Sequence, residues 1–69
     1  MVPIFKFNLG DKVRDRISGL EGIVTSRSEH LFGCERYWID PQELKDGRPV
    51  DGRWFDQDSL ELVAAEVIK

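Results

Sequence analysis

Two side chains of this sequence could supply reactive chemistry, the single histidine His30 and the single cysteine Cys34. A cysteine acts as a nucleophile when a base held close to it depresses the pKa of its thiol, and histidine is the usual base. The segment Leu31-Phe32-Gly33 between them is not typical of the helix that would bring both to one face, and a metal site normally needs more ligands. We therefore interpret His30 as a loop residue and Cys34 as a small buried hydrophobic residue. No catalytic residue, metal or cofactor is predicted.

The carboxylates form no convincing acid–base pair. Asp56 and Asp58 flank Gln57 at the predicted start of a helical turn, where acidic side chains interact favourably with the helix dipole. Other carboxylates stand at predicted turns and are interpreted as structural: Asp40, Asp46 and Asp51. The sequence therefore predicts a non-enzymatic protein. An enzyme whose site forms only between subunits remains an open alternative.

Two tryptophans next to arginines carry the main binding hypothesis. Neighbouring residues of a strand point to opposite faces, so a buried Tyr37, with Ile39 and Phe55, leaves Trp38 and Trp54 facing solvent. The inverted register, with both tryptophans in the core, stays open as an alternative. Tryptophan and arginine dominate the energetics of protein interfaces. We therefore predict a binding module for a macromolecule, with protein the favoured partner, whose contact residues are Arg36, Trp38, Arg53 and Trp54.

A set of basic residues supports nucleic-acid binding as the competing hypothesis, in the form of an RNA or single-stranded DNA module: Lys12, Arg14, Arg16, Arg27 and Arg36. Affinity for nucleic acid increases with the number of phosphates neutralised, whereas this chain has 10 basic and 13 acidic residues and a net charge of −3. Residues 1–36 hold six basic and five acidic side chains, so a local basic strip remains possible there. Any such binding is expected to be weak and sensitive to salt.

Short alternating stretches separated by turn residues predict an all-β fold. Strands are predicted at residues 12–17, 23–27, 35–39, 53–55 and 60–63, with Val13, Asp15 and Ile17 on one face of the first. Residues 41–52 carry two Asp-Gly pairs, Asp46-Gly47 and Asp51-Gly52, which favour tight turns with positive φ and predict a polar excursion with a hairpin at its tip. Asp56 is expected to cap a helical turn over residues 57–59. The tail, residues 64–69, fits either a helical turn or a strand.

The segments Gly10-Asp11-Lys12-Val13 and Gly19-Leu20-Glu21-Gly22-Ile23-Val24 resemble the opening hairpin of SH3-like barrels, notably the KOW-type module. Trp54-Phe55 and Leu60-Glu61-Leu62-Val63 resemble the closing strands of the same family. The resemblance covers about residues 9–63 and implies a single five-stranded barrel domain with one short helical turn before its last strand. Residues 1–8 and 64–69 are then terminal segments. It also implies that Gly22 lies in the turn entering the second strand, where a Cβ is disfavoured.

The layout of Gly-Asp-x-Val, Gly-Cys and Trp-Phe-Asp also resembles small uncharacterised proteins of phages and mobile gene cassettes, which carry over no activity. The type II dihydrofolate reductases of plasmids are similar in architecture. Their pore motif is Val-Gln-Ile-Tyr, whereas this chain has Arg53-Trp54-Phe55-Asp56 at the corresponding place. Their reaction is therefore not predicted for this chain.

Length and apolar content lead to expectations about location and assembly. A chain of 69 residues buries only about 60% of its unfolded surface. One cysteine permits no intrachain disulfide, the N-terminal residues do not resemble a signal peptide, and no apolar stretch reaches ~20 residues, so a cytoplasmic location is predicted.

Seven aromatic residues and two apolar ends, Val2-Pro3-Ile4-Phe5 and Val67-Ile68, exceed what one small barrel interior should hold. A two-fold homodimer would remove this apolar surface from water, so a homo-oligomer is expected. Trp38, Trp54 or the terminal segments are expected in the contact, with Arg36 or Arg53 at its rim.

Overall fold

The computed structural model describes residues 5–68 of the chain. These residues form seven strands and one 3-10 turn: β1 (Lys12–Asp15), β2 (Glu21–Ser28), β3 (Arg36–Pro41), β4 (Leu44–Lys45), β5 (Arg48–Pro49), β6 (Arg53–Asp56), the 3-10 turn (Gln57–Ser59) and β7 (Leu60–Ala64). The prediction of an all-β fold is confirmed. Over the same residues, no helix has the length and apolar character needed to span a membrane.

Five strands form one antiparallel sheet in the order β6-β3-β2-β1-β7, and β4 pairs with β5 in a separate hairpin. Within residues 5–68 the edge strands β6 and β7 do not pair with each other, so the sheet does not close into a barrel. The 3-10 turn connects the two edges instead. Gln57 N donates to Glu35 O at 2.9 Å, and Arg16 N donates to Ser59 O at 2.8 Å.

Local turn chemistry places the hairpin and the 3-10 turn where the sequence predicts them. Asp46 and Gly47 have φ values of 54° and 76°, as the tight turn between β4 and β5 requires. The positive φ expected at Asp51-Gly52 is wrong, because neither residue is among the positive-φ residues of 5–68. The expected side-chain cap from Asp56 is wrong, because its carboxylate makes no capping hydrogen bond and pairs with Arg36. Ser59 Oγ donates to Asp56 O at 2.9 Å and stabilises the turn in its place.

The core lies on one side of the sheet and consists of Phe7, Val13, Val24, Tyr37, Ile39 and Leu60. The Tyr37 hydroxyl donates to Gln57 Oε1 and accepts from Lys6 N at 3.1 Å. Burial raises the pKa of this hydroxyl, which keeps it protonated and able to donate. Tyr37 therefore connects the core to the 3-10 turn and to the segment before β1.

The first strand is shorter than predicted and its acidic residue is buried. β1 ends at Asp15, and Ile17 is 88% exposed, so the expected common face of Val13, Asp15 and Ile17 is wrong at Ile17. The Asp15 carboxylate accepts hydrogen bonds from Ser18 Oγ at 2.6 Å and Ser18 N at 2.8 Å. Both bonds lower the pKa of Asp15, and the bond from the Ser18 hydroxyl has the largest effect. The Asp15 carboxylate accepts the hydrogen bonds that the turn after β1 donates, which explains why an acidic residue interrupts the apolar pattern of this strand.

Gly22 is the second residue of β2 and does not lie in the turn before it. A Cβ at Gly22 would stand 2.5 Å from Asp40 O and 2.8 Å from Ile39 Cγ2. The predicted exclusion of a Cβ is thus confirmed, but its cause is the close approach of β3. The left-handed turn residue is Gly19, whose φ is 79°.

The tail turns back across the end of the sheet. Glu66 N donates to Asp11 Oδ1 at 2.7 Å, and Ile68 N donates to Gly10 O at 3.2 Å. The buried Asp11 carboxylate also accepts from Asn8 N at 2.8 Å, so it holds both ends of the described chain. Of the apolar ends expected in a dimer, residues 1–4 lie outside the described residues.

Candidate functional site

The two tryptophans lie side by side on the outer side of β3 and β6, opposite the core. Trp38 and Trp54 are cross-strand partners, and their rings meet edge to face with centroids 5.5 Å apart. Trp54 is 47% exposed and Trp38 is half-buried, whereas Tyr37 and Ile39 are fully buried on the other side. The predicted outward orientation is confirmed, and the inverted register is wrong. We call this outer surface, formed by Arg36, Trp38, Trp54 and Asp56, the tryptophan face.

A hydrogen bond and a close backbone contact hold Trp38 in place. Its Nε1–H donates to Asp40 Oδ1 at 3.1 Å, and Asp40 Oδ2 accepts from Thr25 Oγ1 at 2.6 Å. The backbone of Gly52 packs so closely here that a Cβ would stand 2.6 Å from Asp40 Oδ1 and would collide with Trp38 Nε1. The indole of Trp38 is therefore held by Asp40 and enclosed by Gly52, and the half-exposed ring of Trp54 rests against it.

An ion pair closes one end of the tryptophan face. Arg36 and Asp56 are cross-strand partners, and Arg36 Nε lies 2.9 Å from Asp56 Oδ1. Both side chains are about half exposed, so the pair contributes little to stability, but it removes net charge from this end of the surface.

The structure brings together three of the four predicted contact residues. Arg53 is the cross-strand partner of Ile39, so strand alternation places it on the opposite side of the sheet from Trp54. The expectation that Arg53 flanks the tryptophans on one surface is therefore wrong. The support of Trp38 by Asp40 was not predicted from the sequence, although their spacing of two residues puts them on one face of a strand.

The basic residues of the competing hypothesis have partners within the fold. Lys12 and Arg14 share Glu21, at 3.6 and 3.4 Å, and Arg14 Nη2 lies 2.6 Å from Glu61 Oε1. The hydrogen bond with Glu61 is the main cause that raises the pKa of Arg14. Arg16 donates to the backbone oxygen of Asp58.

Arg27 is separated from these residues. It is the cross-strand partner of Tyr37, donates to Phe7 O at 3.0 Å and lies over the Phe5 ring, 4.4 Å from its centroid. Arg36 is paired with Asp56 on the tryptophan face. Lys12, Arg14 and Arg36 are thus paired with carboxylates, and Arg16 and Arg27 donate to backbone oxygens, which is unfavourable for tracking a phosphate backbone.

The two reactive residues have separate partners. Cys34 is exposed, so its interpretation as a buried residue is wrong; its thiol lies 3.7 Å from Asp58 Oδ2. The negative charge of Asp58 is the largest cause that raises the pKa of Cys34, which disfavours the thiolate. His30 Nε2 lies 3.0 Å from Ser28 Oγ. Over residues 5–68, no group of three or more His, Cys, Asp or Glu side chains could hold a metal ion.

Comparison of the chain with protein-family models, curated proteins and solved structures finds no match. The tryptophan face is the surface on which large aromatic area, fixed geometry and paired charge occur together.

Proposed function

We propose that this protein is a non-enzymatic binding module whose tryptophan face contacts a protein partner. One observation carries the proposal: the half-exposed Trp54 rests on a Trp38 that Asp40 and Gly52 hold in place. Tryptophans of this kind contribute large contact area and dominate the energetics of interfaces.

The fixed position of Trp38 is what favours binding over a purely structural role. A side chain that is already ordered loses little conformational entropy when a partner arrives, so more of the contact energy remains as affinity. The indole hydrogen bond to Asp40 provides that order without using the exposed ring of Trp54. A partner can therefore dock on Trp54 without rearranging the sheet.

The charges around the tryptophans favour protein over nucleic acid as the partner. Arg36 is already neutralised by Asp56, and Lys12 and Arg14 are paired with Glu21 and Glu61. Stacking of bases on aromatic rings is normally combined with a basic groove that follows the backbone. Nucleic-acid binding, the second candidate, is therefore expected to be weak and to disappear as salt is raised.

For the fold, we propose membership of the SH3-like family in an incompletely closed form. The order β6-β3-β2-β1-β7, in which the last strand pairs with the first, and the 3-10 turn before β7 support this. A cytoplasmic location and an origin in a mobile genetic element stay predictions from the sequence. The lone cysteine supports the first of them.

The proposed function is tested by affinity capture with nuclease-treated extract of the cells that encode the protein. The bait is the wild type, Trp54→Ala or the control Leu44→Ala, in which an exposed residue of β4 changes instead. A protein retained by the wild type and by Leu44→Ala, but lost with Trp54→Ala, is the expected result. With that protein purified, calorimetry should show a loss of affinity of about thirtyfold for Trp54→Ala.

Two results would contradict the proposal. One is a set of captured proteins that is the same for all three baits. The other is tight binding of a single-stranded RNA oligonucleotide, measured by fluorescence anisotropy, that persists at high salt.

A further inference from the structure

A second apolar surface lies at the other edge of the sheet, beside β7. Its members are aliphatic side chains that are between 42 and 53% exposed: Leu9, Leu62, Val63, Val67 and Ile68. We call this set the β7 patch. It shares no residue with the tryptophan face, and β7 and β6 are at opposite ends of the strand order.

Hydrogen bonds hold the parts of the β7 patch next to one another. Leu62 and Val63 belong to β7, which pairs with β1. The tail beyond β7 returns to the start of β1, where Ile68 N donates to Gly10 O at 3.2 Å. Leu9 precedes Gly10, so the tail and the segment before β1 add their aliphatic side chains to those of the strand.

The charge at the β7 patch is low and largely balanced. Glu61 is the acidic residue of β7, and Arg14 neutralises it at 2.6 Å. Glu66 lies in the tail, where its backbone N–H is held by Asp11. In a two-fold contact each charge near the axis faces its own copy, so a self-associating surface has to be nearly free of unpaired charge. Glu61 meets this condition through its ion pair with Arg14, and the exposed Glu66 is the charged residue that a two-fold contact has to leave at its rim.

The register of β7 indicates how such a contact is made. A bulge at this pairing sets Leu62 opposite Val13 and Ala64 opposite Lys12, which leaves Val63 as the extra residue. Bulges twist an edge strand and interrupt its ladder, so extension of the sheet by another strand is disfavoured. Packing of side chains remains as the way to cover the patch.

We propose that the β7 patch is the surface through which two copies of this chain pack against each other in solution as a two-fold dimer. We choose a second copy as the partner because a small domain leaves many apolar side chains exposed to water. Among residues 5–68, seven hydrophobic side chains are buried and ten large ones are exposed. The dimer does not depend on the proposed role of the tryptophan face.

The area of the patch predicts how tight the dimer is. Five half-exposed aliphatic side chains offer on the order of 400 Å² per copy, within the range of functional patches but about half of a standard interface. The dimer should therefore dissociate on dilution through the micromolar range. Because the contact is apolar, added salt should not weaken it.

Sedimentation equilibrium over a wide range of protein concentration tests the proposal. The wild type should pass from a mass of 8.0 kDa at low concentration to twice that value at high concentration. Leu62→Lys should raise the dissociation constant at least tenfold, because it places two like charges near the axis. The matched control Leu44→Lys, the same change at an exposed site on β4, should leave it unchanged.

A second variant covers the case in which Leu62→Lys fails to fold. Val67→Lys changes the tail outside every strand, and circular dichroism of each variant establishes that the sheet is intact. A wild-type mass of 8.0 kDa at every concentration would overturn the proposal. So would a dimer that survives Val67→Lys in a folded chain but dissociates with Trp54→Ala or Phe32→Lys.

Discussion

The two edge strands of the sheet present apolar surface in different ways. At β6, Trp54 rests on a Trp38 fixed by Asp40, and the charges of Arg36 and Asp56 are paired beside them. At β7, the aliphatic side chains stand on a bulged strand and on a tail held by two backbone N–H groups.

The comparison separates two sources of binding energy. Ordered aromatic side chains with fixed neighbours select a partner by shape, because little entropy remains to be lost. Aliphatic side chains without polar partners attract any apolar surface, and the copy of the same chain is always available. This difference supports the two proposals, recognition of another protein at the β6 edge and self-association at the β7 edge.

The largest effect is expected from Gly22→Val, which should disrupt both edges at once. The new side chain would collide with the backbone of β3 at Asp40, in the centre of the sheet. Overpacking of this kind costs about 3 kcal/mol, so the urea midpoint should fall strongly. Ser26→Val, at an exposed site on the same strand, is the control and should change it little. An unchanged midpoint for Gly22→Val would mean that β2 and β3 do not approach as described.

Gly10→Ala should disturb the β7 edge alone. Gly10 has a φ of 92°, and a Cβ there would collide with Ile68 O, so the tail must leave its place. A cost of about 2 kcal/mol is expected from the strained backbone and the lost contacts. Sedimentation should show a weaker dimer, whereas the near-ultraviolet circular dichroism of the tryptophans should stay as in the wild type. A change of the tryptophan signal without any effect on the dimer would refute this separation.

Gly52→Ala should disturb the β6 edge alone, with a smaller cost of about 1 kcal/mol. Its Cβ would stand 2.7 Å from Ile39 O and would displace the Trp38 indole from Asp40. The near-ultraviolet signal of the coupled tryptophans should decrease, and the dissociation constant of the dimer should remain that of the wild type. If both signals changed together in Gly52→Ala and in Gly10→Ala, the two edges would not be independent.

An effect no larger than that of Gly52→Ala, and confined to pH values above the pKa of the carboxylate, is expected on the β7 side, where Asp15 pairs with Leu60. The pKa of Asp15 is lowered in the folded chain from 3.8, mainly by the Ser18 hydroxyl. Its contribution to stability is therefore complete well above pH 3.8 and is lost as the pH falls through the lower, folded pKa. Asp15→Asn should cost about 1 kcal/mol near neutral pH and nothing in strong acid.

Urea unfolding of the wild type and Asp15→Asn at several pH values measures this difference. Ser18→Ala removes the hydroxyl donor and should reproduce part of the loss with the same pH dependence. A difference between wild type and Asp15→Asn that stays constant down to strong acid would assign the effect to packing rather than to ionisation.

Local patterns predict most of the strands and the orientation of the tryptophans. The alternation of Tyr37, Trp38 and Ile39 decides their faces wherever the strand lies, and Asp46-Gly47 specifies its hairpin without help from distant residues. The same alternation places Arg53 on the side opposite Trp54, so the error in grouping Arg53 with the tryptophans was avoidable from the sequence.

Contacts between distant residues account for what the sequence did not predict. Asp11 accepts a hydrogen bond from Glu66, 55 positions away, and Cys34 contacts Asp58, 24 positions away. Neither contact follows from local spacing in the sequence. The reason for Gly22 is likewise the position of β3 and not its own turn. Whether the sheet closes depends on the twist of all five strands together, which no single segment encodes.

The pairing of β1 with β7 also has a consequence for the time course of synthesis. Asp15 finds its partner Leu60 only after most of the chain has been made, and the order of the strands leaves β1 without its second neighbour until then. Loops of this length close slowly, and sheets rich in such distant pairs are slow folders. A ribosome-bound chain stalled before Leu60 has emerged can form the β1-β2-β3-β6 meander but not the finished sheet. During translation, β1 and its buried Val13 therefore lack the cover of β7 until that strand has left the exit tunnel.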